Sequence, residues 1–210
     1  MAKHRSSQRW LTEHHKDPYV KRAREEGYRS RAAYKLLEIN KRDRLLRPGM
    51  TIIDLGAAPG GWSQVAVKQV GRTGRVIAVD MLPMAPVAGV DFIQGDFREQ
   101  VVLDEILALL AGRSVDLVIS DMAPNITGVR AVDQPGSMYL VELAVELSIQ
   151  VMHEGGGMLL KVFQGAGFQE VVRDLHQHYE RVVIRKPDAS RARSRETYIV
   201  AQNFRGVATG

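Results

Sequence analysis

Short runs of β-branched and aliphatic residues recur along the chain, separated by longer stretches in which apolar residues return every three or four positions. Thr51-Ile-Ile53, Arg75-Val-Ile-Ala-Val-Asp80, Val90-Asp-Phe-Ile-Gln94, Val115-Asp-Leu-Val-Ile-Ser120, Met158-Leu-Leu-Lys-Val-Phe163, Arg181–Arg185 and Glu196-Thr-Tyr-Ile-Val200 read as strands. Between them, Trp62–Val70 (stopped by Gly71), Val101–Leu110, Met138–His153 and Phe168–Tyr179 read as helices. Met138–His153 is apolar nearly all round apart from a stripe of Glu142, Glu146 and Gln150, which suits a helix lying on a sheet. Residues 81–89, with two prolines, and the stretch from Asp121 through Gly136 are expected to be loops, and Gly155-Gly-Gly157 is expected to separate helix from strand. Ahead of all this, Ser30 can cap a helix whose apolar stripe is Ala33, Leu36 and Leu37. Arg31 and Lys35 lie four apart on a neighbouring face, and Pro48-Gly49 closes the segment. Residues 1–20, with Trp10 and Tyr19 among basic residues, are expected to be disordered when free.

Alternating strands and helices predict an α/β fold: a doubly wound, mostly parallel sheet of seven strands, covered on both faces. The last two strands have only a basic loop between them and are expected to pair antiparallel. The first strand leads into Asp54-Leu-Gly-Ala-Ala-Pro-Gly-Gly-Trp62 and then a helix, the arrangement that lets a ligand approach backbone and helix N-terminus. Gly56-x4-Gly61 begins as a phosphate-binding P-loop does, but Trp62 stands where that motif needs its lysine, although Ser63 is in place. Ala58 likewise replaces the second glycine of the dinucleotide fingerprint. Asp54 is a poor neighbour for phosphate and a good one for a cation, so S-adenosylmethionine, with its sulfonium and ammonium, suits this loop. A tight turn without a ligand is the other reading of these residues.

Composition narrows the class. The chain has 210 residues, 45% of them apolar and 25% charged, which describes an ordinary globular domain with a real core. It has no cysteine, hence neither disulfides nor thiolate metal ligands. His14-His15 and His176-x-His178 lack carboxylate or cysteine partners at metal-site spacing, so no metal is expected. The polar start excludes a secretory signal and no apolar run is long enough for a membrane span, which leaves the cytoplasm as the expected location, without a membrane partner. Charge is unevenly divided. Residues 1–47 carry 14 Lys/Arg against 6 Asp/Glu, residues 48–184 carry 9 against 16, and the remainder recovers +4 within Arg185–Arg195. Two basic flanks around an acidic centre are either solvated faces or the footprint of a polyanionic partner.

Four acids, Asp54, Asp80, Asp96 and Asp121, follow successive strand ends, where open α/β sheets bind ligands. One such residue is commonly a cap or turn; four favour a small molecule with ribose hydroxyls and amino groups. Lys161 sits inside an apolar strand near the same rim, either as a lysine pointing into water or as a buried one needing charged partners. Lys35, Asp121 and Glu196 could supply partners if the early helix and the last strand converge there. Arg29-Ser-Arg-Ala-Ala-Tyr-Lys35, Asp54–Trp62, Gly95-Asp-Phe97, Ser120-Asp-Met-Ala-Pro-Asn125, Leu160-Lys-Val-Phe163 and Arg191-Ala-Arg-Ser-Arg-Glu-Thr-Tyr198 occur in this order. Together they closely resemble the FtsJ/RrmJ family from about Trp10 to Val200.

The resemblance implies a sheet of the S-adenosylmethionine-dependent methyltransferase (Rossmann-like) type, with its last strand antiparallel. It implies a ribose 2′-O-methyltransferase acting on a uridine of 23S ribosomal RNA, in the large-subunit particle, as a monomer. The family's catalytic tetrad falls on Lys35, Asp121, Lys161 and Glu196, and its cofactor residues on Gly60, Trp62, Asp80, Asp96 and Asp121. The implied roles are Lys161 as general base, Lys35 beside it stabilising the developing alkoxide, Asp121 and Glu196 orienting the amines, Asp80 on the cofactor ribose and Asp96 on the adenine amino group. Residues 1–47 are then a basic RNA-binding appendage with one helix, and 48–210 the methyltransferase domain. A cofactor-free RNA-binding protein and a small-molecule methyltransferase are the rival classes.

Overall fold

The structure, a computed structural model, describes residues 17–123, 130–191 and 194–206, with only the backbone for 130–133. Helices α1 (Pro18–Glu25) and α2 (Ala32–Asp43) precede β1 (Thr51–Leu55), α3 (Gly61–Val70), β2 (Arg75–Asp80), β3 (Val90–Gln94), α4 (Gln100–Leu110) and β4 (Val115–Ser120). There follow α5 (Arg130–Val151), β5 (Met152–Phe163), α6 (Phe168–His178), β6 (Tyr179–Arg185) and β7 (Glu196–Phe204). The seven strands form one sheet in the order β3-β2-β1-β4-β5-β7-β6, parallel except for β7, which runs antiparallel to both β5 and β6. The chain leaves β1 toward β2 and β3, then returns to lay down β4 on the other side. The switch point beyond the carboxyl ends of β1 and β4 is the crevice in which such sheets hold ligands.

Strand alternation divides the core into two layers even where the apolar run is continuous. Ile53, Leu55, Ile77, Val79, Val118 and Leu160 face α4, α5 and α6. Ile52, Val76, Leu117, Ile119, Leu159, Tyr198 and Val200 face α2 and α3, meeting Ala33, Leu36, Ile39, Trp62, Val65 and Ala66. The expected stripe on α2 is therefore the one it buries, with Ile39 added and Leu37 only half-buried. The polar stripe Glu142, Glu146, Gln150 of α5 lies in solvent while Val141, Ala144, Val145 and Leu147 are buried.

Tertiary contacts redraw several element boundaries. Helix α5 begins at Arg130 rather than after Gly136, passing through Pro135. Proline's fixed φ is compatible with a helix and costs it one backbone bond, while Gln134 anchors this turn by donating to the carbonyls of Phe163 (3.1 Å) and Ala166 (2.9 Å). Strand β5 starts directly after α5 at Met152, and the three glycines expected to break the chain lie inside it. Its pairing with β4 slips between Val115 and Leu117, and Gly155 takes φ 85°, so the glycines form a bulge. Helix α1 was not legible in the sequence: Asp17 caps it, accepting from the Tyr19 amide (3.0 Å), and Tyr19 packs on Tyr34 of α2. Ser30 does not cap α2, whose N-cap is Arg31 without a side-chain bond. Ser30 instead presses on Gly61, where an added Cβ would stand 2.4 Å from its Oγ. Residues 1–16 lie outside the described residues, as do 124–129 of the expected loop.

Candidate active site

Register brings the catalytic candidates together. Lys161 on β5 pairs with Tyr198 on β7, and Phe163 with Glu196, so the last strand delivers Glu196 and Tyr198 beside Lys161 on the carboxyl rim. Asp121 directly follows β4, and α2 packs over α3 and places Lys35 against the same rim. Lys161 Nζ stands 3.1 Å from Asp121 Oδ1 and also donates to the Asp121 carbonyl. Lys35 Nζ lies 3.9 Å from the same Oδ1 and 3.0 Å from Glu196 Oε1. The four side chains form an alternating array, Lys161–Asp121–Lys35–Glu196, each at most 18% exposed.

Asp121 is the hinge of this array. Burial would push its carboxyl up, but the charges of Lys161 and Lys35 and the Tyr198 hydroxyl, which donates at 2.8 Å, together hold it below the ordinary carboxylate value. It is therefore an anion that fixes both lysine side chains. Tyr198 is raised well above its usual range by burial and by Asp121 and Glu196, and stays a neutral donor. It also packs on Trp62 (5.9 Å) and lies 5.5 Å beneath Lys35 Nζ. The sequence motif contained Tyr198 without marking a role for it; the period-two spacing from Glu196 was the available signal.

Asp121 also borders a cavity of about 530 Å³, within the range of small-molecule sites, lined by Gly56, Asp80, Asp96, Phe97, Met122 and Leu140 among others. Three of the four strand-end acids thus meet at one rim. Asp80 accepts the amides of Ala58 (2.9 Å) and Leu82 (2.8 Å), which fixes it as a carboxylate clamp between two loops. Asp96 is held by Arg98, whose Nε lies 2.8 Å from both oxygens, and that bond keeps its carboxyl below the ordinary value against the opposing effect of burial. Along the lining, Met81 (62%), Leu82 (64%) and Tyr139 (49%) expose large apolar surface. Sequence periodicity had no means of marking them.

Asp54 does not join the rim. It is fully buried within β1, where Ser63 Oγ donates to its Oδ2 at 2.6 Å and its Oδ1 has no partner among the described residues. Burial, with the Asp121 and Asp80 charges, raises its carboxyl to about 7 despite the Ser63 bond. Gly60 and Trp62 are not among the cavity's lining residues. A Cβ at Gly60 would stand 2.9 Å from Met84 Sδ and 3.0 Å from Arg29 Nη1, so this glycine admits the segment before α2. Trp62 is 2% exposed and its indole donates to the Ala32 carbonyl at 2.8 Å. Toward a ligand these two residues can offer only backbone. The loop is braced from outside by Arg29, whose guanidinium donates to the carbonyls of Pro59 (3.2 Å), Ala85 and Pro86 (2.6 Å). The Arg29 amide donates to Gln64 Oε1 (2.8 Å), and Gln64 Nε2 donates to the Gly27 carbonyl (3.0 Å).

A doubly wound seven-stranded sheet with its last strand antiparallel, a glycine loop after β1 and acids at the carboxyl rim define a protein of the methyltransferase class. The model of the FtsJ-like methyltransferase family matches residues 28–204, and the chain belongs to that family. It is 60% identical over 205 residues to the ribosomal RNA large subunit methyltransferase E of Marinobacter nauticus, covering 98% of this chain and 99% of that one. The protein of the same description from Pseudomonas aeruginosa is 56% identical over 206 residues, 98% of this chain and all of its own. Among solved structures, a protein of Plasmodium falciparum described as a ribosomal RNA methyltransferase superposes with TM-score 0.77 at 29% identity, covering 86% of this chain and 100% of its own. Among the described residues no helix is long and apolar enough to cross a membrane, and no three His, Cys, Asp or Glu side chains cluster as a metal site.

Proposed function

We propose that this protein transfers a methyl group from S-adenosylmethionine to the ribose 2′-hydroxyl of a uridine in 23S ribosomal RNA, within the large ribosomal subunit, with Lys161 as general base. The observation that carries the reading is the junction at Asp121, one carboxylate that both borders a cofactor-sized cavity and fixes Lys161 and Lys35. The ribosomal acceptor is supported by what the relatives are described as modifying, and the uridine and the 2′ position by the family resemblance of the motifs.

The cavity's donor set fits S-adenosylmethionine: carboxylates for a ribose diol and amino groups, apolar side chains for an adenine ring, and a single cation, Arg98, which is already paired with Asp96. Asp80 would hold the ribose hydroxyls, Asp96 the adenine amino group, and the backbone at Gly60 and Trp62 the loop side of the ligand. When bound, that cofactor supplies a methyl group on a sulfonium. The chain's own residues do the rest. A ribose hydroxyl is a weak acid and must lose its proton as its oxygen attacks. Lys161 is the nearest amine to Asp121, which turns it toward the acceptor; in its neutral form it accepts the proton at Nζ. Lys35, oriented by Glu196, supplies positive charge where negative charge develops on oxygen. Tyr198 keeps Asp121 ionised and in place. Residues 1–47 serve as the basic appendage that approaches the RNA backbone.

The test is single-turnover methylation of large-subunit RNA with tritiated methyl donor, followed by alkaline digestion. A 2′-O-methyl group blocks cleavage at its own linkage, so label should survive in a dinucleotide. Lys161→Ala should lose roughly 10²–10⁴-fold in rate and its rising limb with pH, while both substrates still bind. Label released as mononucleotide, or a Lys161→Ala enzyme at near-normal rate across pH 6–10, would overturn the reading.

A further inference from the structure

Beside the tetrad lies a second, smaller cavity of about 470 Å³, lined by Arg31 at the N-cap of α2, by Ala32 and Lys35 of α2, by Arg191 and Ser194 between β6 and β7, and by Glu196 at the start of β7. Lys35 and Glu196 belong to both places, so the cavity opens directly onto the tetrad. Its wall is cationic: Arg31, Lys35 and Arg191 face it with one acid, Glu196, which is already engaged by Lys35 at 3.0 Å. Behind the wall a single carboxylate, Asp17, serves both guanidinium groups. It binds Arg31 Nη1 and lies 3.9 Å from Arg191 Nε. Arg31 is further held by the Ala189 carbonyl, so its fork is set before any ligand arrives.

The opposite wall is also fixed. Lys186 Nζ donates to the carbonyls of Ser194 (2.6 Å) and Glu196 (2.5 Å), pinning the connection that carries both lining residues. Ser194 Oγ accepts the Glu196 amide at 3.2 Å, which leaves its own hydrogen to donate. The Arg191 guanidinium, the remaining Nη hydrogens of Arg31, the Lys35 amine and the Ser194 hydroxyl form a donor set that matches the oxygens of a phosphate diester.

Position within a nucleotide then selects which phosphate. The 3′-phosphate is carried by the carbon adjacent to the one bearing the 2′-oxygen, whereas the 5′-phosphate hangs from the far side of the sugar. A 2′-hydroxyl at Lys161 and Lys35 therefore presents its own 3′-phosphate to the neighbouring cavity. We infer that this cavity seats the 3′-phosphodiester of the nucleotide being methylated, so that the enzyme recognises an acceptor within a chain rather than a free nucleoside. The inference rests on the reading of the tetrad as the acceptor site.

Competition measures it. Uridine, uridine 3′-monophosphate and uridine 5′-monophosphate are each used to inhibit methylation of large-subunit RNA by the full-length protein at constant ionic strength. For the unaltered enzyme the 3′-monophosphate should inhibit about tenfold or more better than uridine, the effect of one charge-assisted contact, and better than the 5′-isomer. Arg191→Gln should bring the 3′-monophosphate close to uridine while leaving cofactor affinity unchanged, which also reports an intact fold. Arg191→Lys should retain part of the preference. Arg72→Gln, an exposed change in the turn at the amino rim of the sheet, should keep all of it. Equal inhibition by the three compounds, none included, a better 5′-isomer, or an undiminished preference in Arg191→Gln would overturn the seat. If RNA is methylated normally in those cases, the acceptor reading survives without it. If the unaltered enzyme methylates no RNA, that reading falls first and the seat with it.

Discussion

Asp54 and Asp80 lie at the ends of neighbouring strands and are put to opposite uses. Asp80 has both oxygens occupied by backbone amides and borders the cavity. Replacing it by alanine should weaken S-adenosylmethionine by about 1.5–3 kcal/mol in a calorimetric titration, with RNA affinity little changed. Unaltered cofactor affinity in a folded variant would remove Asp80 from the site. Asp54 is sealed in the core with its carboxyl raised to about 7. Its folded-state value lies above that of the unfolded chain, so the folded protein binds the proton more tightly. The stability this contributes is complete below the unfolded value near ~3.9 and is lost as pH rises through about 7. Asp54→Asn, which cannot ionise, should show a flatter melting-temperature profile across that window. The gap to the unaltered protein should move in the variant's favour toward neutral pH. Parallel profiles would mean that Asp54 ionises freely. Both residues are visible in the sequence as aspartates near strand ends. Their difference is one of strand geometry, since Asp54 is still inside β1 when its side chain turns inward.

The elements that carry these residues are joined by contacts between parts of the chain far apart in sequence. Helix α2 is bolted to the edge of the sheet by Asp43, whose buried carboxylate takes Arg181 (2.9 Å) and Arg185 (2.7 Å) from β6. Burial raises its carboxyl, but the two arginine bonds outweigh this and hold it below the ordinary value. Asp43→Ala leaves Arg185, itself only 13% exposed, without its partner, and should cost about 3–5 kcal/mol in chemical denaturation. The stabilisation should also fade as pH falls below ~3.9, because a depressed carboxyl loses its advantage once protonated. Arg29 makes the matching link at the other end, holding the loops after β1 and β2 by their carbonyls. Arg29→Ala should raise the KM for cofactor more than it lowers kcat, because it loosens the cavity's border without touching the tetrad. Arg29→Lys should recover only part, since one ammonium cannot reproduce a planar fork. A fall confined to kcat would place Arg29 in the acceptor site instead.

At the scale of the whole molecule, charge is divided between the two cavities. The cationic wall beside Lys35 lines one cavity, and the acids Asp80 and Asp96 line the other. RNA binding should weaken steeply with salt, and removing residues 1–16, which carry more Lys/Arg than Asp/Glu, should lower the slope of log K against log salt. Cofactor binding should be nearly indifferent to both changes. An unchanged slope would make that segment solvated charge only. Much of this molecule is local and therefore readable in the chain. Strands β2, β3 and β4 follow from their β-branched runs and the burial face of α5 from its spacing, because alternation and helical period report burial directly. Asp121 after a strand end and Lys161 inside an apolar strand stand out against their neighbours, whereas Lys35 and Glu196 are marked by the family resemblance of the motifs. Their meeting is another matter. Lys35 and Lys161 share Asp121 only because β5 lies beside β4 and α2 folds back over α3, Glu196 joins them because β7 slots between β5 and β6, and no local pattern encodes that placement. The same holds for Gly60, Gly61 and Ser30, whose small size answers to a contact across the fold, and for the bulge that keeps Gly155–Gly157 inside β5. Periodicity along a chain determines which face of an element is buried; only the packed structure decides what that face is buried against, and with it which charges become partners.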